Sequence, residues 1–535
     1  MVKGGRGVIA CSIGRRGEDR MTPGSIKAKL VLAAAAAVGF ALLWLTPAAP
    51  ALAIQVQNVA VSKVTPGSAV LVVETDVSSD VTVEYGYVPG SYSATVASGN
   101  LVRHEIAVSG LPASSRVYYR LTVSDHANPA DSAVLPESGF HTARLPGEAF
   151  SFAVAGDNRP WTDTTTPPAV WSTIIGQIAA ENPDLALNVG DIIYGLPTDT
   201  LARDVSKYDG FFSVTRQLTA AAPMYQAVGN HEYISAAGDR AGYEQEFTLP
   251  VNNGADAALY GEEYYSFDDG DTHFVALCTE IPGQEGLVTG NQLDWLKQDL
   301  ASTTRPWKVV WMHRPLFYGE SQDPWVDLNN AAAQQNKADL LATFQQYGVN
   351  VVFGGHEHYY QRHIDHGINY IITGGGGAPL YSPPAPGPGD AFGVSAYEHV
   401  SVDETAAALR VTAIDSAGNT LETFTLGAPA LSVTLSRAYW ASLDDYRLGR
   451  LAVDYALGNS GGDAVNVVID RIGAGGGIGL ISGAGQSLGT VPKGQSKAFT
   501  ATYQVPPGVT VFYAYPFITC SDISGGAYSF PSAVA

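Results

Sequence analysis

Between residues 150 and 356, short apolar runs alternate with helical stretches. This alternation is the strongest constraint on the fold. The runs are Phe150–Ala155, Leu185–Val189, Tyr225–Val228, Lys308–Met312 and Val349–Phe353. Pro168–Ala180, Asn291–Ser302 and Asn329–Tyr347 read as helices, the second with Leu293, Leu296 and Leu300 on one face. Such a pattern predicts an α/β layered domain ending near Gly427. Each run also stops at residues of one chemical kind. The five ends are Gly156-Asp157, Gly190-Asp191-Ile192-Ile193-Tyr194, Gly229-Asn230-His231-Glu232, His313, and Gly355-His356-Glu357-His358, with Tyr360 and Arg362 close behind. A lone Asp or His at a strand end is usually a hydrogen-bonded loop residue. Five in order, in a layered domain whose cleft forms at the carboxyl ends of strands, point to one site.

The flanks read differently. Residues 54–144 carry short alternating strands such as Val81–Tyr85 and Arg116–Val123, with a turn at Val88-Pro89-Gly90, which predicts a β-sandwich. Leu145-Pro146-Gly147 reads as a linker. Residues 428–535 have few charges and no helical period, and predict a second sandwich. The run Gly473–Gly485 has no strand–helix frame and no glycine fingerprint in register, so it reads as a loop and not as a nucleotide site. Gly374–Gly377 reads as a loop in the same way, and the Pro379–Pro388 loop it leads into reads as part of a cleft rim. With 58 Gly, 31 Pro and 15% charged residues, the chain suits a turn-rich, β-rich protein of several domains.

The N-terminus reads as an export signal. Leu30–Leu45 is apolar, follows Lys27 and Lys29, and leads to Ala51-Leu52-Ala53, an A-x-A cleavage pattern. Met21 is an alternative start that gives ordinary signal proportions. Removal of residues 1–53 leaves 23 Lys+Arg against 49 Asp+Glu, a net charge of −26. Such a surface disfavours nucleic acid and anionic lipid, so neither is expected as a partner. An anionic substrate would need local positive charge from metals or arginine. Cys278 and Cys520 are the cysteines that remain, too few and too far apart in sequence for a disulfide framework or a thiolate metal site.

Carboxylate and imidazole ligands suit Fe, Mn and Zn. Two ions about 3.5–4 Å apart need a carboxylate between them and further ligands on each side. His356 and His358, two apart on one loop, can face one ion each. In many two-metal phosphoesterases a histidine stands two residues after the first aspartate. Here that place holds Arg159, which has no lone pair to give.

The set GD-x-R, GD-x-x-Y, GNHE, V-x-x-H and GH-x-H-x-Y-x-R resembles the calcineurin-like metallophosphoesterases, and within them the purple acid phosphatases. The resemblance spans roughly residues 54–427. Val83–Tyr92 and Gly110–Leu121 resemble the fibronectin-III-like domain of the long members. The resemblance implies a four-layer αββα sandwich for residues 145–427, flanked by a fibronectin-III-like β-sandwich at 54–144 and an Ig-like β-sandwich at 428–535. It also answers the Arg159 puzzle: a tyrosinate at Tyr194 replaces the missing histidine. The first ion, Fe(III), would take Asp157, Asp191, Tyr194 and His358. The second, Fe, Mn or Zn, would take Asp191, Asn230, His313 and His356.

The implied activity is that of a secreted phosphatase hydrolysing small phosphate monoesters by in-line attack of metal-activated water. His231 is the expected general acid, with Glu232 to orient it. Arg159 and Arg314 are expected to meet phosphate oxygens. Plant relatives carry further histidines after the fourth motif, which are absent from His313 through Leu328. A phosphodiesterase or nucleotidase on the same fold is the nearest alternative. A non-catalytic surface binding protein is a more distant one. Oligomeric state is not legible.

Overall fold

In the strand Thr272–Leu277 every side chain is buried, yet alternate residues enter different cores. Phe274 and Ala276 join one apolar cluster; Val275 and Leu277 join another. Val309 and Trp311 divide from Val310 and Met312 in the same way on the strand Trp307–Met312. A strand covered on both faces reads as a continuous apolar run, because side chains alternate across it. These strands therefore lie inside a layered stack.

The computed structural model describes residues 54–233, 240–318, 330–405, 408–523 and 525–531. The expected signal segment, residues 1–53, lies outside them, as does residue 329 at the start of one expected helix. Among the described residues no helix is long and apolar enough to cross a membrane.

Two sheets face each other across the first cluster. The seven-stranded sheet runs Tyr265–Asp269, Thr272–Leu277, Trp307–Met312, Val351–Gly354, Ile368–Thr373, Tyr360–Asp365, Asp390–Val394 in spatial order. The six-stranded sheet runs Thr420–Leu426, Ala408–Asp415, Glu398–Thr405, Phe150–Ala155, Leu185–Asn188, Met224–Gln226. Three of the five motif-bearing strands pair in parallel in the smaller sheet and two in the larger. Helices Ala169–Glu181 and Leu201–Thr219 pack through Trp171, Ile174, Ile175, Phe211 and Phe212. Helices Gly290–Ser302 and Ala331–Tyr347 cover the larger sheet through Leu293, Leu296, Leu300, Leu340 and Phe344. The result is a four-layer αββα core. Tyr360 and Arg362 join the two sheets: both bond Glu422 of the smaller sheet, at 3.0 Å from Tyr360 Oη and 2.9 Å from Arg362 Nε.

On the N-terminal side, the long strand Ser68–Gly86 pairs first with Val56–Ser62 and then with Arg116–Asp125, so one six-stranded antiparallel sheet closes over Leu71, Val73, Val81, Val117 and Phe140. Tyr119 and Ser138 both donate to the carbonyl of Ala220, at 2.6 and 2.9 Å, and anchor this body to the helix Leu201–Thr219. Residues 431–531 form two four-stranded antiparallel sheets around Val453, Leu457, Val467, Ile469, Phe499 and Ile518. The run Gly473–Gly485 is not a simple loop: Ala464–Gly475 and Gly479–Ser482 are strands. Cys278 and Cys520 are free and buried.

Candidate metal centre

Motif residues from both sheets meet at the carboxyl ends of the parallel strands. Asp157 leaves Phe150–Ala155 and donates its backbone N–H to Gly190 O at 2.9 Å. Both its carboxylate oxygens accept the N–H of His356 at 2.9 Å. The loops are tight. Asp157, Asp191 and His356 adopt φ of +54°, +53° and +67°, a left-handed region that costs a non-glycine residue about 1–2 kcal/mol. Strain at three candidate ligands is a mark of a functional site. Gly355 permits the closest approach, since a Cβ there would fall within 2.3 Å of Asp157 Oδ2.

Asp157, Asp191 and His358 place ligand-type atoms within 4.8 Å of one another, all buried. His358 donates Nδ1–H to Pro379 O at 2.8 Å, which turns Nε2 toward Asp157 Oδ1 at 3.6 Å. Its ring stacks on Tyr381, 4.3 Å between centroids. On the other side of Asp191, His313 donates Nδ1–H to Val189 O at 2.9 Å. Its Nε2 then carries a lone pair, and lies 3.0 Å from Asn230 Oδ1 and 3.2 Å from Asp191 Oδ1. His356 Nδ1 is 3.0 Å from the same Asn230 oxygen and 3.2 Å from His313 Nε2.

This donor set has a physical consequence. With His313 Nδ1–H committed to a carbonyl, Nε2, Asn230 Oδ1 and Asp191 Oδ1 are all acceptors, and they crowd together. Acceptors at 3.0–3.2 Å repel unless a cation stands among them. Carboxylate, amide oxygen and imidazole are ligands for Fe, Mn or Zn. The residues therefore fit two metal ions, with Asp191 between the groups. Burial pushes His313 down to about 3 and His358 down to about 4, so both imidazoles are neutral and ready to ligate. Burial and the neighbouring Asp191 push the Asp157 carboxyl well up, a strain that a cation would relieve.

The other expected residues are placed as follows. The Tyr194 ring stacks on His231, 5.1 Å between centroids, and the Arg159 guanidinium lies 5.4 Å from the Tyr194 ring centre. His231 donates its backbone N–H to Asp191 Oδ1 at 3.1 Å, and its Nε2 is 3.9 Å from Asp191 Oδ2. Burial holds His231 down at about 4. Arg159 donates from Nε to Asp191 Oδ2 at 3.1 Å. Arg314 is bidentate to Glu280, at 2.7 and 2.9 Å. Both guanidiniums are thus engaged with carboxylates.

Glu232 differs from its expected role. Its carboxylate is turned to the backbone of its own loop and of the Asp191 loop, accepting N–H from Gly229 (2.7 Å), Asp191 (3.0 Å), Ile192 (2.8 Å) and Ile193 (3.2 Å). It ties the GNHE loop to the GD-x-x-Y loop and does not orient His231. Burial and Asp191 push its carboxyl up to about 8. The backbone N–H donors pull the other way without cancelling that rise.

Two further contributions were missed. The loop Gly374–Gly377 is buried. Gly376 N–H bonds Gly156 O at 2.9 Å and Ala378 N–H bonds Asp157 O at 2.8 Å, so the run backs the Asp157 loop. Its apolar neighbours Tyr370–Ile372 were a usable signal. Lys207 donates to Tyr194 O at 2.7 Å and Asp199 Oδ2 at 2.5 Å, pinning the Tyr194 loop from the helix Leu201–Thr219. A buried lysine at core spacing was its only trace in the sequence.

The fold and the candidate metal centre can be set beside known proteins. The family model described as calcineurin-like phosphoesterase matches residues 162–360. The chain is 30% identical over 305 residues to purple acid phosphatase 23 of Arabidopsis thaliana, covering 52% of this chain and 60% of that protein. It is 27% identical over 311 residues to purple acid phosphatase 15 of the same plant, covering 51% and 53%. The chain thus spans little more than half the length of these curated relatives. The solved structure of purple acid phosphatase PPD1 from yellow lupin (Lupinus luteus) seeds shares the fold with a TM-score of 0.57 at 18% identity, covering 69% of this chain and 74% of that one.

Proposed function

We propose that this chain is a secreted, metal-dependent phosphatase acting on small phosphate monoesters. The observation that carries the reading is the crowding of the acceptors Asp191 Oδ1, Asn230 Oδ1 and His313 Nε2, with His356 against them, beside the Asp157–Asp191–His358 group. Similarity to purple acid phosphatases supports the reaction class. Residues 1–53 are read as a cleaved signal, 54–144 as a fibronectin-III-like domain, 145–427 as the catalytic domain and 428–535 as a separate sandwich.

Asp157, Asp191, Tyr194 and His358 would hold one cation, with Fe(III) suited to the tyrosinate. Asp191, Asn230, His313 and His356 would hold the other, Fe, Mn or Zn. Two such ions supply the positive charge that draws in phosphate and the acidity that readies water for attack. The remaining chemistry belongs to the chain. His313 and His358 are fixed in tautomer by Val189 O and Pro379 O, so their Nε2 lone pairs face inward. His231 stands next to ligand Asn230, with its imidazole near Asp191 but no ligand role of its own, and is placed to hand a proton to the departing oxygen. Arg159, held on Asp191, keeps a guanidinium at the same end of the site as His231 and Tyr194.

The test is the purified secreted protein, assayed for bound metal and for hydrolysis of nitrophenyl phosphate against bis-nitrophenyl phosphate. We expect about two metals per chain and clear preference for the monoester. Metal-loaded protein inactive on both esters would overturn the enzyme reading, and a diester preference would overturn the substrate class.

A further inference from the structure

The glycine run of the C-terminal body has no part in the metal centre. Gly473 and Gly475 lie in the strand Ala464–Gly475, which pairs antiparallel with Tyr513–Asp522 in the register Gly473↔Tyr515 and Gly475↔Tyr513. Along the tyrosine strand, Ala514, Pro516 and Ile518 are buried, so Tyr513, Tyr515 and Phe517 line the outer face. A Cβ on Gly473 would sit 3.6 Å from Tyr515 Cδ2, and one on Gly475 would sit 3.9 Å from Tyr515 Cε2. The Tyr515 ring therefore leans across the neighbouring strand, over positions that carry no side chain. Glycine inside a strand marks a place where another group approaches the backbone closely.

Among the described residues, no strand pairs with either flank of this platform. Strand Gln486–Val491 pairs no further along than Ile469, and strand Ala527–Pro531 pairs only from Phe517 to Ser521. Among the described residues, the sheet beside Gly473 and Gly475 is two strands wide. Tyr513 is 46% exposed and Tyr515 39%, enough for a ligand to reach both rings. Neither hydroxyl has a hydrogen-bond partner among the described residues. Arg471 is drawn over the Phe517 ring at 4.2 Å.

Charge decides what could lie there. Residues 54–427 carry 17 Lys+Arg against 43 Asp+Glu, while residues 428–535 carry six of each. The molecule is strongly anionic except in this body, which is neutral. Nucleic acid would need a basic track along the rings, and a membrane surface a cluster of lysines; residues 428–535 carry two lysines and four arginines, balanced by six aspartates. A pyranose chain needs neither. Its C–H faces stack on exposed rings and its hydroxyl rim bonds tyrosine hydroxyls. Two rings at i and i+2 on a strand are about 6.8 Å apart, within reach of adjacent sugars.

We propose that Tyr513 and Tyr515, on the glycine-floored edge of the C-terminal body, form a binding site for a neutral polysaccharide. The inference rests on this body alone and stands apart from the phosphatase reading. The test uses the full chain in affinity gel electrophoresis with soluble glucans, mannan and xylan, and in pull-downs on insoluble cellulose and chitin, with NaCl varied. At least one neutral polysaccharide should retain the wild type, with no dependence on salt. The pair Tyr513→Ala and Tyr515→Ala should weaken retention by about tenfold or more, the order set by aromatic stacking. Tyr515→Phe should keep most of it. Tyr513→Ala alone, whose ring makes no aromatic contact, provides the test should the double variant unfold. Failure of every neutral polysaccharide to bind would overturn the proposal. So would wild-type retention by the alanine variants, or binding confined to charged polymers and lost in salt.

Discussion

Replacing Glu232 by glutamine tests what that residue does. The side chain keeps its shape, but one oxygen becomes an NH2 group. The carboxylate now accepts four backbone N–H groups, two on each oxygen, at 2.7–3.2 Å. Whichever way the amide turns, two donors face a donor. Each orphaned buried donor costs about 1–3 kcal/mol, so the bridge between the Gly229 loop and the Asp191 loop loses about 2–6 kcal/mol. Relief of repulsion with Asp191 offsets part of this. The loops so loosened carry Asp191 and Asn230. Loss of a group that supports metal ligands typically weakens metal affinity by about 10–100-fold. We expect Glu232→Gln to lose metal to a chelator at concentrations that leave the wild type loaded, with hydrolysis of alkyl and nitrophenyl phosphates falling together. If Glu232 oriented His231 instead, the variant would keep its metals and lose rate mainly on alkyl phosphates. That outcome, or metal retention equal to the wild type, would refute the bridging role.

Iron-loaded wild type should absorb in the visible through a Tyr194–Fe(III) pair, and Tyr194→Phe should remove the band; a colourless, active iron protein would exclude Tyr194 as a ligand. His231→Ala should slow alkyl phosphate hydrolysis by about 10²–10⁴-fold while sparing nitrophenyl phosphate at full metal occupancy, since only the poor leaving group needs the proton. Equal losses on the two substrates would assign His231 to positioning. At the contact between the N-terminal sheet and the core, burial and nearby Glu74 push the Glu246 carboxyl up from 4.5 to about 8. The folded state thus holds a proton that the unfolded chain releases. Its contribution to stability is full below about pH 4.5 and is lost as pH rises through about 8, at up to about 1.4 kcal/mol per pH unit. Thermal unfolding of Glu246→Gln should depend less steeply on pH in that window, and an unchanged pH slope would exclude this group.

The site was legible because its five strands combine two local signals, an apolar run and a polar end. Their partition between two sheets was not, because strand order is set by pairing between distant segments. The strand Glu398–Thr405 pairs with Phe150–Ala155 across 250 residues of sequence, and it hid behind buried Glu398 and His399. The helix Leu201–Thr219 was missed for a similar reason. Tyr208, Phe211, Phe212 and Leu218 follow helical spacing, but Asp204 and Lys207 occupy core positions among them. Lys207 is tolerated there because Asp199 and Asp163 meet its ammonium at 2.5 and 3.0 Å. A periodicity test scores such residues as polar and breaks the pattern.

The arginines show how type can be read where partner cannot. A chain of net charge −26 over residues 54–535 needs cations wherever it gathers phosphate, and Arg159 and Arg314 are the guanidiniums beside the motifs. The structure puts both there, yet on carboxylates: Arg159 on Asp191, Arg314 on Glu280. A buried guanidinium bonded to a carboxylate is largely neutralised as seen from outside, and separating the pair is costly. The attraction for an anionic substrate therefore falls to whatever fills the acceptor cluster. The crowded lone pairs of Asp191, Asn230 and His313 suit a cation. Metal binding and substrate binding are then one electrostatic problem in this chain. Arg159 bonds Asp191, the carboxylate shared by both candidate metal groups.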